Sequence, residues 1–205
     1  KVHYKKDSLV LGFHGHFPHL SKFEPSLKEA IEELDKQINL KLKIVTSNAS
    51  FDWKVGRPNI NNISLHKWSL DTVKNDLMSC DIGLVPNVTP MRLKELNLAN
   101  SVELGLYNTD HVFRMKNKSN AGRAFVFHQL GIPVVADFTP SNFHILGNPD
   151  CGYIASNKNS WIKAIEDLTC NHKRQSVSHA AKKEFDRLYN PHDWAKNLYH
   201  KISRI

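Results

Sequence analysis

The chain has 205 residues, 40% hydrophobic and 23% charged, enough for one large domain or two very small ones and ordinary for a globular protein. No stretch approaches the roughly 18 apolar residues that a membrane span needs. The net charge of +8 invites comparison with nucleic-acid binders, but its cations are mostly scattered and no motif interleaves them with aromatics, so a phosphorylated small ligand fits at least as well.

Strand-like and helix-like segments alternate along the chain. Leu9-Val10-Leu11-Gly12-Phe13 is a short apolar run of the kind that forms a buried parallel strand. Ser26 and Glu29 have the spacing of a capping box, followed by Leu27, Ala30, Ile31 and Leu34 at helical spacing. Leu42, Ile44 and Val45 mark a second strand and Ile63-Ser64-Leu65 a third. Ser69 is expected to cap a helix carrying Leu70, Val73 and Leu77. Asp81-Ile82-Gly83-Leu84-Val85-Pro86 reads as a strand closed by proline. An irregular stretch then runs to about residue 118, with a loop over 87–113 that invites a role as a lid or acceptor contact. A helix is expected from Asn120 to Leu130, stopped by Gly131, and then a strand at Pro133-Val134-Val135-Ala136. From about residue 158 the tail is helical. Trp161, Ile162, Ile165 and Leu168 share one face, and Asn190-Pro191 opens a last helix expected to pack through Trp194, Leu198 and Ile202. The pattern predicts a single Rossmann-like, doubly wound α/β domain over 1–205, with a parallel sheet covered on both faces.

Three cysteines, Cys80, Cys151 and Cys170, show neither CxxC spacing nor an even number, which argues against a disulfide framework or zinc site and points to the cytoplasm. Asn-x-Ser/Thr triplets at Asn48, Asn62, Asn87 and Asn117 read as chance occurrences in an Asn-rich chain. The start at Lys1-Val2-His3 is neither an initiator Met nor a signal peptide, so a piece of a longer protein is expected.

In open parallel sheets, ligands bind at the carboxyl ends of the strands, near the point where strand order reverses. Three post-strand segments stand out. His14-Gly15-His16 follows the first strand, where glycine permits close approach and two histidines offer N–H donors to phosphate or hydroxyl oxygens. No third ligand lies at a spacing that suggests a metal. Lys67-Trp68 follows the third strand, with Trp68 either stacking on a base or packing onto its own helix. The segment 114–123 holds four cations, Arg114, Lys116, Lys118 and Arg123, and Ser119-Asn120-Ala121-Gly122 lead into the helix. A helix N-terminus, small residues and adjacent cations together make an anion site suited to a diphosphate. Lys118 and Arg123 are expected to point into the crevice as solvated cations whose removal leaves stability nearly unchanged.

The ordered series Arg114-Met115-Lys116, Lys118-Ser119-Asn120-Ala121-Gly122-Arg123 and Gln129-Leu130-Gly131-Ile132-Pro133-Val134-Val135-Ala136 resembles the C-terminal domain of bacterial group-1 GT-B glycosyltransferases. The segments from Trp68-Ser69 to Pro86, and from Pro140-Ser141 to Gly152-Tyr153, are similar to the same domain, so the resemblance covers nearly the whole chain. It implies one half of a GT-B fold, binding a nucleoside-diphosphate sugar for polysaccharide or glycan synthesis. A preceding N-terminal domain would bind the acceptor, and the fragment is expected to be inactive without it. Retaining members often place one Glu before this helix and another eight positions on. Here those positions are Lys118 and Val126, so retaining stereochemistry and ribose recognition by a carboxylate do not carry over. No Asp-x-Asp triplet appears, in keeping with a reaction that uses no metal or other cofactor. No nucleic-acid partner is expected, and peripheral membrane association of the parent protein stays open. A CDP-glycerol-like phospho-alcohol transferase, a non-catalytic nucleotide-binding module and, more weakly, an epimerase are the alternatives.

Overall fold

A computed structural model describes residues 1–88 and 121–203. The 87–113 loop therefore lies almost wholly outside the described residues. Six strands form one sheet in which every pairing is parallel: β1 (Leu9–Gly15), β2 (Leu40–Thr46), β3 (Ile63–Lys67), β4 (Ile82–Val85), β5 (Val134–Asp137) and β6 (Tyr153–Ala155), in the order β3-β2-β1-β4-β5-β6. The five strands expected from the sequence are present. The sixth, only three residues long, is too short to show a period.

The period-2 alternation of a strand explains the two cores. Leu9, Leu11 and Phe13 of β1, with Leu42 and Ile44 of β2, pack on α1 (Ser26–Leu34) and α5 (Lys158–Asp167), the latter through Trp161 and Ile165. Val45, Val85, Val134 and Ala136 belong to the second cluster and pack with Ala124 and Phe127 of α3 (Gly122–Gln129). Adjacent residues Val134 and Val135 thus fall in different cores, as a strand buried on both faces requires. The remaining helices are α2 (Val73–Met78), α4 (Pro140–Leu146), α6 (Asn171–Tyr189) and α7 (Pro191–Ile202).

Several helix boundaries differ from expectation. Ser26 is the first helical residue and makes no side-chain cap, because the cap position falls on Pro25, whose carbonyl accepts from Glu29 N at 3.0 Å. Ser69 closes a turn, its Oγ accepting from Thr72 N at 3.2 Å, and the helix proper starts at Val73; Leu70 is consequently 80% exposed. Asn190 does cap the last helix, accepting from His192 N at 3.0 Å with proline in its first turn. Trp194, Leu198 and Ile202, however, are exposed at 62%, 59% and 61%, so the apolar face of α7 does not pack on the described residues.

At the amino edge of the sheet the buried carboxylate of Asp81 collects Lys6 at 2.7 Å and the backbone N–H of Val10 at 3.0 Å. Gly131 ends α3 as expected: at φ +64° it allows Gly131 N to bond His128 O and Ile132 N to bond Phe127 O, a Schellman closure that turns the chain into β5. These fixed connections deliver the carboxyl ends of β1, β4 and β5 to one edge.

Candidate functional site

Strand order reverses between β1 and β4. From β1 the chain winds outward to β2 and β3; from β4 it winds the other way to β5 and β6. The carboxyl ends of β1 and β4 flank this switch point, the place where such sheets take ligands. Four segments meet there: the end of β1, the 3₁₀ helix Phe17–Phe23, residues 86–88 after β4, and the start of α3 with the end of β5 beside it.

Arg123 is the centre of this meeting. Its Nη2 donates to Pro86 O at 2.9 Å and to Asn87 Oδ1, and its guanidinium lies 5.4 Å from the centroid of the buried Phe13 ring. Nη1 is buried and has no hydrogen-bond partner among the described residues. Burial lowers its pKa to about 10, with Asp137 opposing the shift. This corrects the expectation of a solvated cation: the approach of Phe13 and the 86–88 backbone removes the guanidinium from water.

His14 and Gly15 are strand residues rather than loop residues, since β1 runs through Gly15. The single ring proton of neutral His14 sits on Nε2, which donates to Arg123 O at 3.1 Å, because a carbonyl can only accept. Burial pushes the ring's pKa down to about 4, and it packs edge-on against Phe127 at 5.0 Å. His14 thus holds the first turn of α3 against β1 and does not offer that proton to a phosphate. Gly15 has φ +148°, and a Cβ there would lie 3.3 Å from Phe13 Cζ and 3.4 Å from Arg123 Cδ. Glycine is what lets the Arg123 side chain cross the end of β1. His16 is exposed at the head of the 3₁₀ helix, its ring 5.0 Å from Phe17.

Two residues not expected from the sequence, Lys22 and Asp137, complete the site together with Asn87 at the start of the 87–113 loop. Lys22, buried on the 3₁₀ helix, donates from Nζ to Asn87 O at 3.0 Å. Asp137, the last residue of β5, accepts through Oδ2 from Asn87 N at 2.6 Å and Val88 N at 2.8 Å. Burial drives its carboxyl pKa up to about 6, against the opposing pull of those two N–H groups, Lys22 and Arg123. Asn87 itself is the hub that all three grip. The available signal was a lone carboxylate directly after an apolar strand on the ligand edge; nothing in its local sequence marks Lys22.

The structure brings together His14, Gly15, Ala121 and Arg123. Ala121 is buried and is the N-cap of α3 without a side-chain cap, and Gly122 is the first helical residue. Arg114, Lys116, Lys118, Ser119 and Asn120 lie outside the described residues. Lys67 and Trp68 sit at the same sheet edge but at the end of outermost β3, with β2 between them and β1. Trp68 is 44% exposed and its N–H bonds Thr46 O at 2.8 Å, a position open to a ligand only if that ligand spans two strands. Among the described residues no group of three His, Cys, Asp or Glu is placed to hold a metal ion, and no helix is long and apolar enough to cross a membrane.

No family model and no curated protein matches this sequence. Solved structures do match. Sucrose-phosphate synthase from Thermosynechococcus elongatus superposes with a TM-score of 0.63 at 13% identity, over 97% of this chain and 46% of its own. Anabaena Alr3699/HepE, solved with UDP and glucose, gives 0.57 at 15% identity, over 97% and 49%. A glycosyltransferase from Rickettsia africae gives 0.55 at 13% identity, over 89% and 44%. The chain spans less than half the length of each of these proteins.

Proposed function

Because this chain has the fold of one half of a GT-B glycosyltransferase, we propose that it is a donor half, holding the diphosphate of a nucleoside-diphosphate sugar in the crevice between β1 and β4. The observation that carries this reading is Arg123: a buried guanidinium with one nitrogen that has no partner among the described residues, placed in the first turn of α3 at the switch point. Desolvating a cation and leaving a donor unpaired is costly unless an anion completes the arrangement. A diphosphate supplies that anion. The N-terminus of α3 and the nearby Lys22 add to the attraction.

In transfer, the bond from the sugar to the diphosphate breaks and negative charge grows on the departing oxygen. Arg123, Lys22 and the N-terminus of α3 are fixed before the reaction and so stabilise that charge without reorganising. Arg114, Lys116 and Lys118 are proposed to join them, with His16, Lys67 and Trp68 bordering the nucleotide. The acceptor, in polysaccharide or glycan synthesis, is proposed to sit on a second α/β half. The exposed face of α7, Trp194, Leu198 and Ile202, is proposed to dock on that half, in keeping with a chain that spans under half the length of its structural matches.

Titration calorimetry of UDP, GDP and CDP against the 205-residue chain tests the reading. One saturable site for at least one of the three is expected, without sugar transfer by this chain alone, since half the cleft and the acceptor position are absent. Failure of all three to bind removes the assignment.

A further inference from the structure

The crevice already contains an anion of its own. The Asp137 carboxylate lies buried at the end of β5 and is attracted to Lys22 and Arg123, the same two cations proposed to hold a diphosphate. The groups that face it can be named element by element. Lys22 faces it from the 3₁₀ helix, Arg123 from α3, and the Asn87 and Val88 N–H groups from the end of β4. On its own side, Asn142 Nδ2 bonds the main-chain oxygen of Asp137 at 2.9 Å. From β1, His14 touches Arg123 and is uncharged at neutral pH. Among the described residues the local balance is two cations against one carboxylate.

A diphosphate entering this space would bring two negative charges beside a buried third, with Lys22 and Arg123 the cations among the described residues that attract all three. Like charges in a desolvated site cannot all stay ionised cheaply; the most basic of them takes a proton. The diphosphate of a nucleotide sugar is a diester of very low pKa, so Asp137 is the group that yields. Resting on the reading of the crevice as a diphosphate site, we propose that Asp137 is a proton switch within it. Binding of a nucleotide sugar takes up one proton at this carboxyl, and affinity rises as pH falls from 8 to 6.

Protonation also leaves the clamp intact on one side, since a neutral carboxyl keeps an oxygen able to accept from Asn87 N and Val88 N. The free carboxyl titrates at about 6, which places the switch in the physiological range. If the bound diphosphate raises that value by about one to two units, linkage predicts binding about five- to twenty-five-fold weaker at pH 8 than at pH 6. The same linkage predicts an uptake of roughly half a proton or more per ligand at pH 7.

The test uses the 205-residue chain with UDP-glucose, GDP-mannose and CDP-glycerol, whose diphosphates keep a constant charge between pH 6 and 8. Calorimetric titrations at pH 7 in Pipes and in Tris, which differ in ionisation enthalpy, count the protons taken up by the unmutated chain. Asp137→Asn supplies the second arm: it removes the charge and keeps an acceptor oxygen. Its affinity is expected to be flat from pH 6 to 8 and higher than that of the unmutated chain at pH 8. Binding with neither proton uptake nor pH dependence overturns the proton switch and leaves the diphosphate site standing. A folded Asp137→Asn protein that binds more weakly at pH 8 also overturns it, by showing that the carboxylate is needed in its ionised form. Failure of all three probes to bind at any pH removes the diphosphate site, and the switch with it.

Discussion

Arg123→Ala separates a ligand-binding arginine from a merely structural one. The side chain makes two hydrogen bonds, to Pro86 O and Asn87 Oδ1, each worth about 1.5–3 kcal/mol for a charged donor, or about 3–6 kcal/mol together. Against this stands the burial of its charge. The fall in pKa from 12.5 to about 10 corresponds to about 3 kcal/mol disfavouring the charged form. The difference, about 0–3 kcal/mol, is the stability expected to be lost, or a drop of several degrees in melting temperature for a chain of this size. Loss of the charge-assisted bonds to a phosphate should cost about a further 1.5–3 kcal/mol in binding, a tenfold to hundredfold weaker Kd. The assay is calorimetric titration of UDP, GDP and CDP at a temperature where melting curves show both proteins fully folded. Arg123→Lys, which keeps the charge and loses the forked geometry, should fall between the two. An alanine variant that melts lower but binds whichever nucleotide the unmutated chain binds with unchanged affinity would refute the reasoning.

Stability should fall on acidification. His14 and His128 are buried with pKa values lowered to about 4, so the unfolded chain binds protons first as pH drops below about 6.5, costing about 2 kcal/mol each at pH 5. Asp137, raised to about 6, works in the opposite sense and returns about 1 kcal/mol over the same range. The melting temperature at pH 5 should therefore lie below that at pH 8, with His128→Leu narrowing the gap; a higher melting temperature at pH 5 would contradict these assignments. Gly15→Ala should cost about 1–2 kcal/mol by melting curves and weaken nucleotide binding, because φ +148° and the contacts with Phe13 and Arg123 leave its Cβ no relaxed place. Trp194→Ser with Leu198→Ser should change the stability of this chain by no more than about 0.5 kcal/mol, read from melting curves, since both side chains are mostly exposed. A drop of several degrees would mean that α7 packs on the chain after all.

The sheet was legible because β4 and β5 are apolar on both faces, β1 is nearly so and β2 alternates, against amphipathic helices; β6 escaped through its length. Helix ends were less legible. Ser26 and Ser69 have the chemistry of caps, but Ser26 falls one position inside its helix and makes no cap, while Ser69 accepts from Thr72 N in a turn that ends before the helix begins. At the candidate site, the sequence singled out His14, Gly15 and Arg123, which the structure places together at the switch point, because post-strand loops and helix openings are local features. It did not reveal that the Arg123 guanidinium is buried, or that His14 donates to its carbonyl, since both follow from contacts more than a hundred residues apart. Lys22 and Asp137 were missed for the same reason: they converge on Asn87 from 65 and 50 residues away.

The central claim is a location: a nucleoside diphosphate lies over the first turn of α3, between β1 and β4. Amide chemical-shift mapping of the ¹⁵N-labelled chain, titrated with UDP, GDP and CDP, tests it most directly. The account predicts that the largest shifts fall on Gly15, Asn87, Val88, Gly122 and Arg123, with the Arg123 guanidinium signals moving as its buried Nη1 gains a partner. Shifts confined to α7 or to Trp68, or none at nucleotide concentrations in the millimolar range, would contradict it.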